Sequence, residues 1–205
     1  MPLRLRDGLT LYFCRHGETE ANVARRFQGW TRDTPLTANG RAQARAIGTT
    51  LMTEAPDFAA LAYVASPLAR ACTTMEIIRE TIRLPPDGYT TDRRIMEINL
   101  GSWDGKTEAE LRAVDNASFE RRMADKGHVR VPGGGENYED VAVRLESWLA
   151  NLARDTFAVS HGAATRILRG LVQGLSWSQI GDLDERQGVL FRLRNGVIER
   201  FEGGT

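Results

Sequence analysis

Three short runs of apolar, β-forming residues stand out in the 205-residue chain, at 9–14, 61–65 and 157–160, and each is followed by a stretch with helical character. A run that is apolar without alternation is the pattern of a strand buried on both faces. Helices placed between such strands supply the crossovers that a parallel sheet requires. The alternation predicts an α/β sandwich, with a mostly parallel sheet of about six strands and helices on both faces.

The remaining elements follow from local signals. Thr37 is a candidate N-cap for a helix running to about Glu54, ahead of Pro56. Pro67 suits the first turn of a helix that continues through Met75 and Ile78 to about Ile82. A weaker strand at 90–94 leads to Glu97, and a loop covers 101–105. Two short helices are predicted near 106–114 and 117–126, and a long amphipathic helix near 137–153. Between them Pro132-Gly133-Gly134-Gly135-Glu136 reads as the most flexible stretch. A helix at 163–173 and a hairpin of strands 189–194 and 197–201, turned by Asn195-Gly196, complete the reading. The length fits one domain, 1–205, with 99–136 as a cap or lid segment over the sheet edge.

Lys+Arg and Asp+Glu both count 27, so the net charge is zero and gives no support for general nucleic-acid or membrane binding. The two cysteines, Cys14 and Cys72, form neither a disulfide framework nor a zinc pattern and read as small buried side chains. The basic residues at the start are followed by an apolar run too short for a signal peptide, and no stretch approaches a membrane span. The cytoplasm is the expected compartment.

Open α/β sheets bind ligands at the carboxyl ends of their strands. The first strand ends in Arg15-His16-Gly17, the second in Ser66-Pro67 followed by Arg70, the third leads to Glu97, and the fourth ends in Ser160-His161-Gly162. Two of only three histidines thus occupy matched positions before glycine. Each residue type suits a phosphate ester. A neutral imidazole is a nucleophile near pH 7. Arginine forks match phosphoryl oxygens, and a second, charged histidine can donate to them. A carboxylic acid can protonate the leaving alcohol and later accept a proton from water. Glycine lets the backbone approach the bound group closely.

With these blocks in place, the chain resembles the histidine phosphatase superfamily, the phosphoglycerate-mutase-like proteins. The matching segments are Arg15-His16-Gly17-Glu18-Thr19, Asn22, Phe27-Gln28-Gly29-Trp30, Leu36-Thr37 with Gly40, Ser66-Pro67-Leu68 with Arg70-Ala71 and Thr74, Glu97 with Gly101, Trp103 and Gly105, Pro132-Gly133-Gly134 with Glu136, and Ser160-His161-Gly162. Singly these are weak; their ordered succession over about residues 9 to 175 is specific. The resemblance implies a three-layer α/β/α sandwich and a phosphohistidine on His16. It also implies a phosphate pocket of Arg15, Arg70 and His161, with Glu97 as proton donor. Asn22, Gln28, Gly29 and Gly162 would line the pocket near the transferred group. It implies no metal and no cofactor, and a small-molecule phosphate ester as partner; it leaves oligomeric state open.

Several residues keep plainer readings. Glu18 is a second candidate for the proton donor. His128 reads as an exposed loop histidine, Trp30 and Trp103 as packing residues. Gly133–Gly135 lacks the Lys and Ser/Thr that a P-loop would need. The family contains mutases and phosphatases. The mutases carry a long insertion with an Arg-Arg element and a proline run, and Asn where this chain has Ala163. Here Arg121-Arg122 offers an arginine pair, but the proline run and most of the insertion are missing. The expectation is a phosphomonoester hydrolase, with a mutase-type isomerase as first alternative and a catalytically weak binding or regulatory member as second.

Overall fold

The computed structural model describes residues 3–31 and 33–202. Six strands, β1 (Thr10–Arg15), β2 (Ala62–Ala65), β3 (Thr90–Thr91), β4 (Thr156–Ser160), β5 (Val189–Arg194) and β6 (Val197–Glu202), form one sheet in the order β3-β2-β4-β1-β5-β6. β1 to β4 run parallel, whereas β5 is antiparallel to β1 and to β6. Seven α-helices are described: α1 (Glu20–Val23), α2 (Ala38–Glu54), α3 (Ala69–Thr81), α4 (Glu108–Ala124), α5 (Tyr138–Ala150), α6 (Gly162–Val172) and α7 (Trp177–Asp182).

Strand side chains alternate between two cores, which makes the architecture the expected three-layer sandwich. Leu11 and Phe13 face Val141 and Leu145 of α5 and Ile167 of α6. Tyr12 and Cys14 face Ile47 and Leu51 of α2 and Met75 and Ile78 of α3. Burying such a side chain stabilises the fold by about 1.5–3 kcal/mol each, so both faces of β1 hold it in register. A third, smaller core of Trp103, Leu111, Phe119 and Val131 lies under α4.

Local chemistry sets the helix starts. Thr37 caps α2 by accepting from Gly40 N (3.0 Å), and Asn137 caps α5 by accepting from Asp140 N (2.8 Å). The two helices expected around 106–126 are joined as α4 but broken at Asp115 (φ −155°, ψ 80°), whose carboxylate caps the second half through Ser118 N (3.0 Å). Asn195 (φ 51°) and Gly196 (φ 77°) make the tight turn of the β5–β6 hairpin.

Other expectations are corrected. Pro67 lies outside α3, because Leu68 is the N-cap. β3 is two residues long, and Arg93–Ile95 turns as a 3₁₀ helix because Asp92 accepts from Arg94 N. Residues 132–136 form a packed turn: Ser102 N donates to Pro132 O, and Asn99 and Glu136 exchange two further bonds. Cys72 is only partly buried and bonds Ser66 O. Helices α1 and α7 are too short to show a period in the sequence.

Candidate active site

β1 and β4 are paired to their last residues, Arg15 opposite Ser160, so His16 and His161 leave the sheet side by side. Their rings lie edge to face with centroids 5.1 Å apart. His16 N still donates to Ser160 O (2.9 Å), which fixes its backbone. Its Nδ1 lies 2.8 Å from Gly17 O. A carbonyl only accepts, so Nδ1 carries the hydrogen and Nε2 keeps its lone pair. Arg70 Nε points at that lone pair from 3.3 Å. Burial, then the charges of Arg15 and Arg70, hold the His16 pKa well below the usual imidazole value. The ring is therefore neutral at pH 7, the state a nucleophile needs.

His161 sits at the N-cap of α6, with Nε2 2.7 Å from Ser66 Oγ. Its Nδ1 is buried and has no protein partner. Burial and the charge of Arg70 push its pKa well below the ordinary value, so the charged donor expected from the sequence is neutral in the free site. A Ser66 hydroxyl that donates to Nε2 would leave Nδ1–H as a free donor.

Glu97 follows the Arg93–Ile95 turn, and its carboxylate meets the first turn of α6. It accepts from Ile98 N (2.9 Å) and more weakly from Ala163 N and Ala164 N (3.4 Å each). Burial and the negative charge of Glu185 nevertheless raise its pKa above the usual carboxylate range, against the pull of those amides and of Arg70 and Arg15. Trp30 Nε1 and Arg144 Nη2 both donate to Glu97 O and fix the residue. Glu18 is turned away to the start of α2, where it accepts from Thr37 Oγ1 (2.6 Å).

A cavity of about 240 Å³ opens here, with Arg15, His16, Asn22, Gln28 and Glu97 in its wall. Arg15 Nη1 donates to Glu185 O (2.5 Å), and its buried Nε is unpartnered. Asn22 Oδ1 accepts from Gln187 Nε2 (2.9 Å), and Gln28 Oε1 accepts from Thr19 Oγ1 (3.0 Å). Arg70 lies behind His16, its Nη atoms committed to Asp33 (2.7 Å) and Gly29 O (2.9 Å). Gly29 is a packing position, since a Cβ would come within 3.0 Å of Leu100 N. Gly162 leaves space for Glu185, whose Oε2 would lie 2.5 Å from an added Cβ. His128 is exposed, held by Asp125 (3.0 Å) and Glu139 (3.4 Å), and Trp103 packs on Phe119.

Strand-end reasoning missed the cavity's other wall. Arg122 is buried (4% exposed), its Nε and Nη1 are without a protein partner, and it faces the cavity with Lys126, Tyr138, Arg166 and Glu185. Its neighbour Arg121 points outward to Ser118. The signal was helical spacing: Arg122 follows buried Phe119 by one turn of α4 and shares its face. Glu185 has no comparable signal, because it lies on the irregular segment between α7 and β5.

The site combines a neutral histidine whose Nε2 lone pair meets only Arg70 Nε, a carboxylic acid with a raised pKa, and unpaired cationic donors; that set suits phosphoryl transfer. Comparison with known proteins gives the family. "Probable phosphoglycerate mutase GpmB" of Proteus mirabilis is 34% identical over 200 residues, covering 95% of this chain and 85% of that protein. The 2,3-bisphosphoglycerate-dependent phosphoglycerate mutase of Methylobacterium radiotolerans is 33% identical over 194 residues, covering 89% of each. Among solved structures, Bacillus stearothermophilus YhfR superposes with a TM-score of 0.78 at 32% identity, over 94% of this chain and 95% of that one. A mycobacterial glucosyl-3-phosphoglycerate phosphatase complexed with VO3 superposes at 0.76 with 29% identity, over 90% of each. The sequence model of the histidine phosphatase superfamily (branch 1) matches residues 11–194. This chain belongs to the histidine phosphatase superfamily.

Proposed function

We propose that the protein is a phosphomonoester hydrolase that works through a phosphohistidine on His16 and acts on a small phosphorylated metabolite. The observation that carries this is the pairing of a neutral His16, whose unprotonated Nε2 is oriented by Arg70 beside the cavity, with a Glu97 whose pKa is raised above the usual range. In the first step Nε2 attacks phosphorus, the ester P–O bond breaks, and the Glu97 acid protonates the leaving alkoxide. In the second, ionised Glu97 takes a proton from water as the water oxygen attacks phosphorus. The N–P bond breaks, and inorganic phosphate and protonated Glu97 are restored. Arg15 and His161 Nδ1–H hold the phosphoryl oxygens, and Arg70 Nε steers His16. Asn22 and Gln28 orient the ester from the side. Residues 99–136 cover the cavity as part of one catalytic unit spanning 1–205, and no step calls for a metal.

Ala163 and the short 99–136 segment support water access and hence hydrolysis. The buried, unpartnered Arg122 beside Lys126 favours a second reading, a mutase-type isomerase that holds an acidic substrate at both ends. Purified protein is given 3-phosphoglycerate with 2,3-bisphosphoglycerate, and a panel of phosphate esters, with released phosphate and isomer both followed. Phosphate release, abolished in His16→Ala, is the expected result. Isomerisation without phosphate release sinks the hydrolase reading, and an active His16→Ala protein sinks the phosphohistidine.

A further inference from the structure

Glu185 touches no reacting atom in the steps above, although its charge helps to raise the pKa of Glu97, and among the described residues it is the one acid besides Glu97 in the cavity wall. Its carboxylate pairs with Arg166 at 2.8 Å and lies 3.8 Å from Arg15, whose Nη1 is also held by the Glu185 carbonyl. The position is built from both sides. The preceding Asp184 is anchored to Arg169 (3.0 Å) and Arg200 (2.8 Å), and Gln187 donates to Asn22 Oδ1 (2.9 Å) and the His16 carbonyl (3.3 Å). The absent Cβ of Gly162 admits the carboxylate against the first turn of α6. A fixed negative charge therefore shares Arg15 with whatever anion occupies the pocket.

We propose that Glu185 determines how weakly this site holds a bare phosphate. Resting on the hydrolase reading, it acts as a built-in counter-anion that loosens the phosphoryl end of every ligand. An ester regains affinity by filling the rest of the cavity beside Phe27, Leu100 and Trp103. Inorganic phosphate has no such remainder and leaves. Glu185 thus shifts selectivity from the phosphate to the group that bears it, and speeds product release. A charge of like sign behind a shared guanidinium in a partly buried site weakens a phosphate dianion by about tenfold.

The test measures inorganic phosphate binding by calorimetry, which needs no turnover, on the wild type, Glu185→Gln and Glu185→Asp, with folding followed by circular dichroism. Glu185→Gln keeps the shape and a hydrogen bond to Arg166 but removes the charge; it should bind phosphate about tenfold more tightly. Glu185→Asp, which keeps the charge, should stay within about twofold of wild type. On the best ester of the panel, Glu185→Gln should lower KM, the mark of tighter uniform binding; kcat also falls through the lowered pKa of Glu97, so phosphate affinity and KM are the readouts of the proposal. A residue that merely braces Arg15 would lose affinity on mutation. Unchanged or weaker phosphate binding in Glu185→Gln overturns the proposal, as does an absence of phosphate binding in both the wild type and Glu185→Gln. Failure of the hydrolase reading would be seen separately, as isomerisation without release or an active His16→Ala protein.

Discussion

Replacing Ser66 with alanine removes the one hydrogen-bond partner of the His161 ring among the described residues. Both residues are fully buried, and the Ser66 hydroxyl lies 2.7 Å from Nε2. A Ser66 hydroxyl that donates to Nε2 places the ring proton on Nδ1, the nitrogen left without a protein partner and proposed above to hold a phosphoryl oxygen. In Ser66→Ala a buried ring nitrogen is left unsatisfied, at a cost of about 1–3 kcal/mol in stability. The tautomer is also released, so the Nδ1–H donor is no longer guaranteed at the transition state. A hydrogen bond to a charged group contributes about 1.5–3 kcal/mol, so kcat should fall by roughly 10-fold to 150-fold. Steady-state kinetics on the best ester and denaturant unfolding of both proteins measure the two effects. Ser66→Cys, a weaker donor, should fall between the two. A Ser66→Ala enzyme with kcat within twofold of wild type would refute the tautomer argument, even with reduced stability.

Other outcomes follow from the same geometry. Glu97→Gln should lose about 10²- to 10⁴-fold in kcat for esters with poor leaving groups and much less for p-nitrophenyl phosphate, which needs no protonation; an equal loss on both would remove Glu97 from the acid role. Activity should fall at high pH as Glu97 ionises, at a pKa above the usual carboxylate range, and at low pH only below the ordinary histidine value, because His16 resists protonation. Stability has a related sign: His16 and His161 have folded pKa values below the ordinary histidine value of 6.5, so the unfolded chain binds the extra protons and stability is lost as pH falls below about 6.5. Melting temperatures at pH 7.5 and 5.5 that do not differ in this direction would contradict the neutral burial of both rings. Gly40→Ala should destabilise the fold by about 1–3 kcal/mol in denaturant titration, since its Cβ would lie 2.1 Å from the backbone oxygen of Glu18. EDTA should leave turnover unchanged, and a loss restored by a divalent ion would contradict a reaction carried by side chains alone.

The sequence by itself determined the sheet, both flanking helical layers and the residues at the strand ends. Those features obey rules that act over a few residues: apolar runs make buried strands, Thr37 and Asn137 cap helices, and parallel strands bring Arg15, His16 and His161 to one rim. Glu97 was reachable by the same rule, although the short β3 and the turn after it were not, because the Asp92 cap competes locally with strand pairing. Only the tertiary structure decided what each of these groups can do. Glu97 rather than Glu18 faces the cavity because Thr37 takes the Glu18 carboxylate. Arg70 reaches the site already paired with Asp33, and His161 is uncharged because burial and the charge of Arg70 disfavour its cation. Arg122, Lys126, Arg166 and Glu185 come from α4, the turn after it, α6 and an irregular segment, and meet only when those elements pack. Proton affinity and charge pairing depend on distances across the chain, and no local pattern in the sequence encodes them.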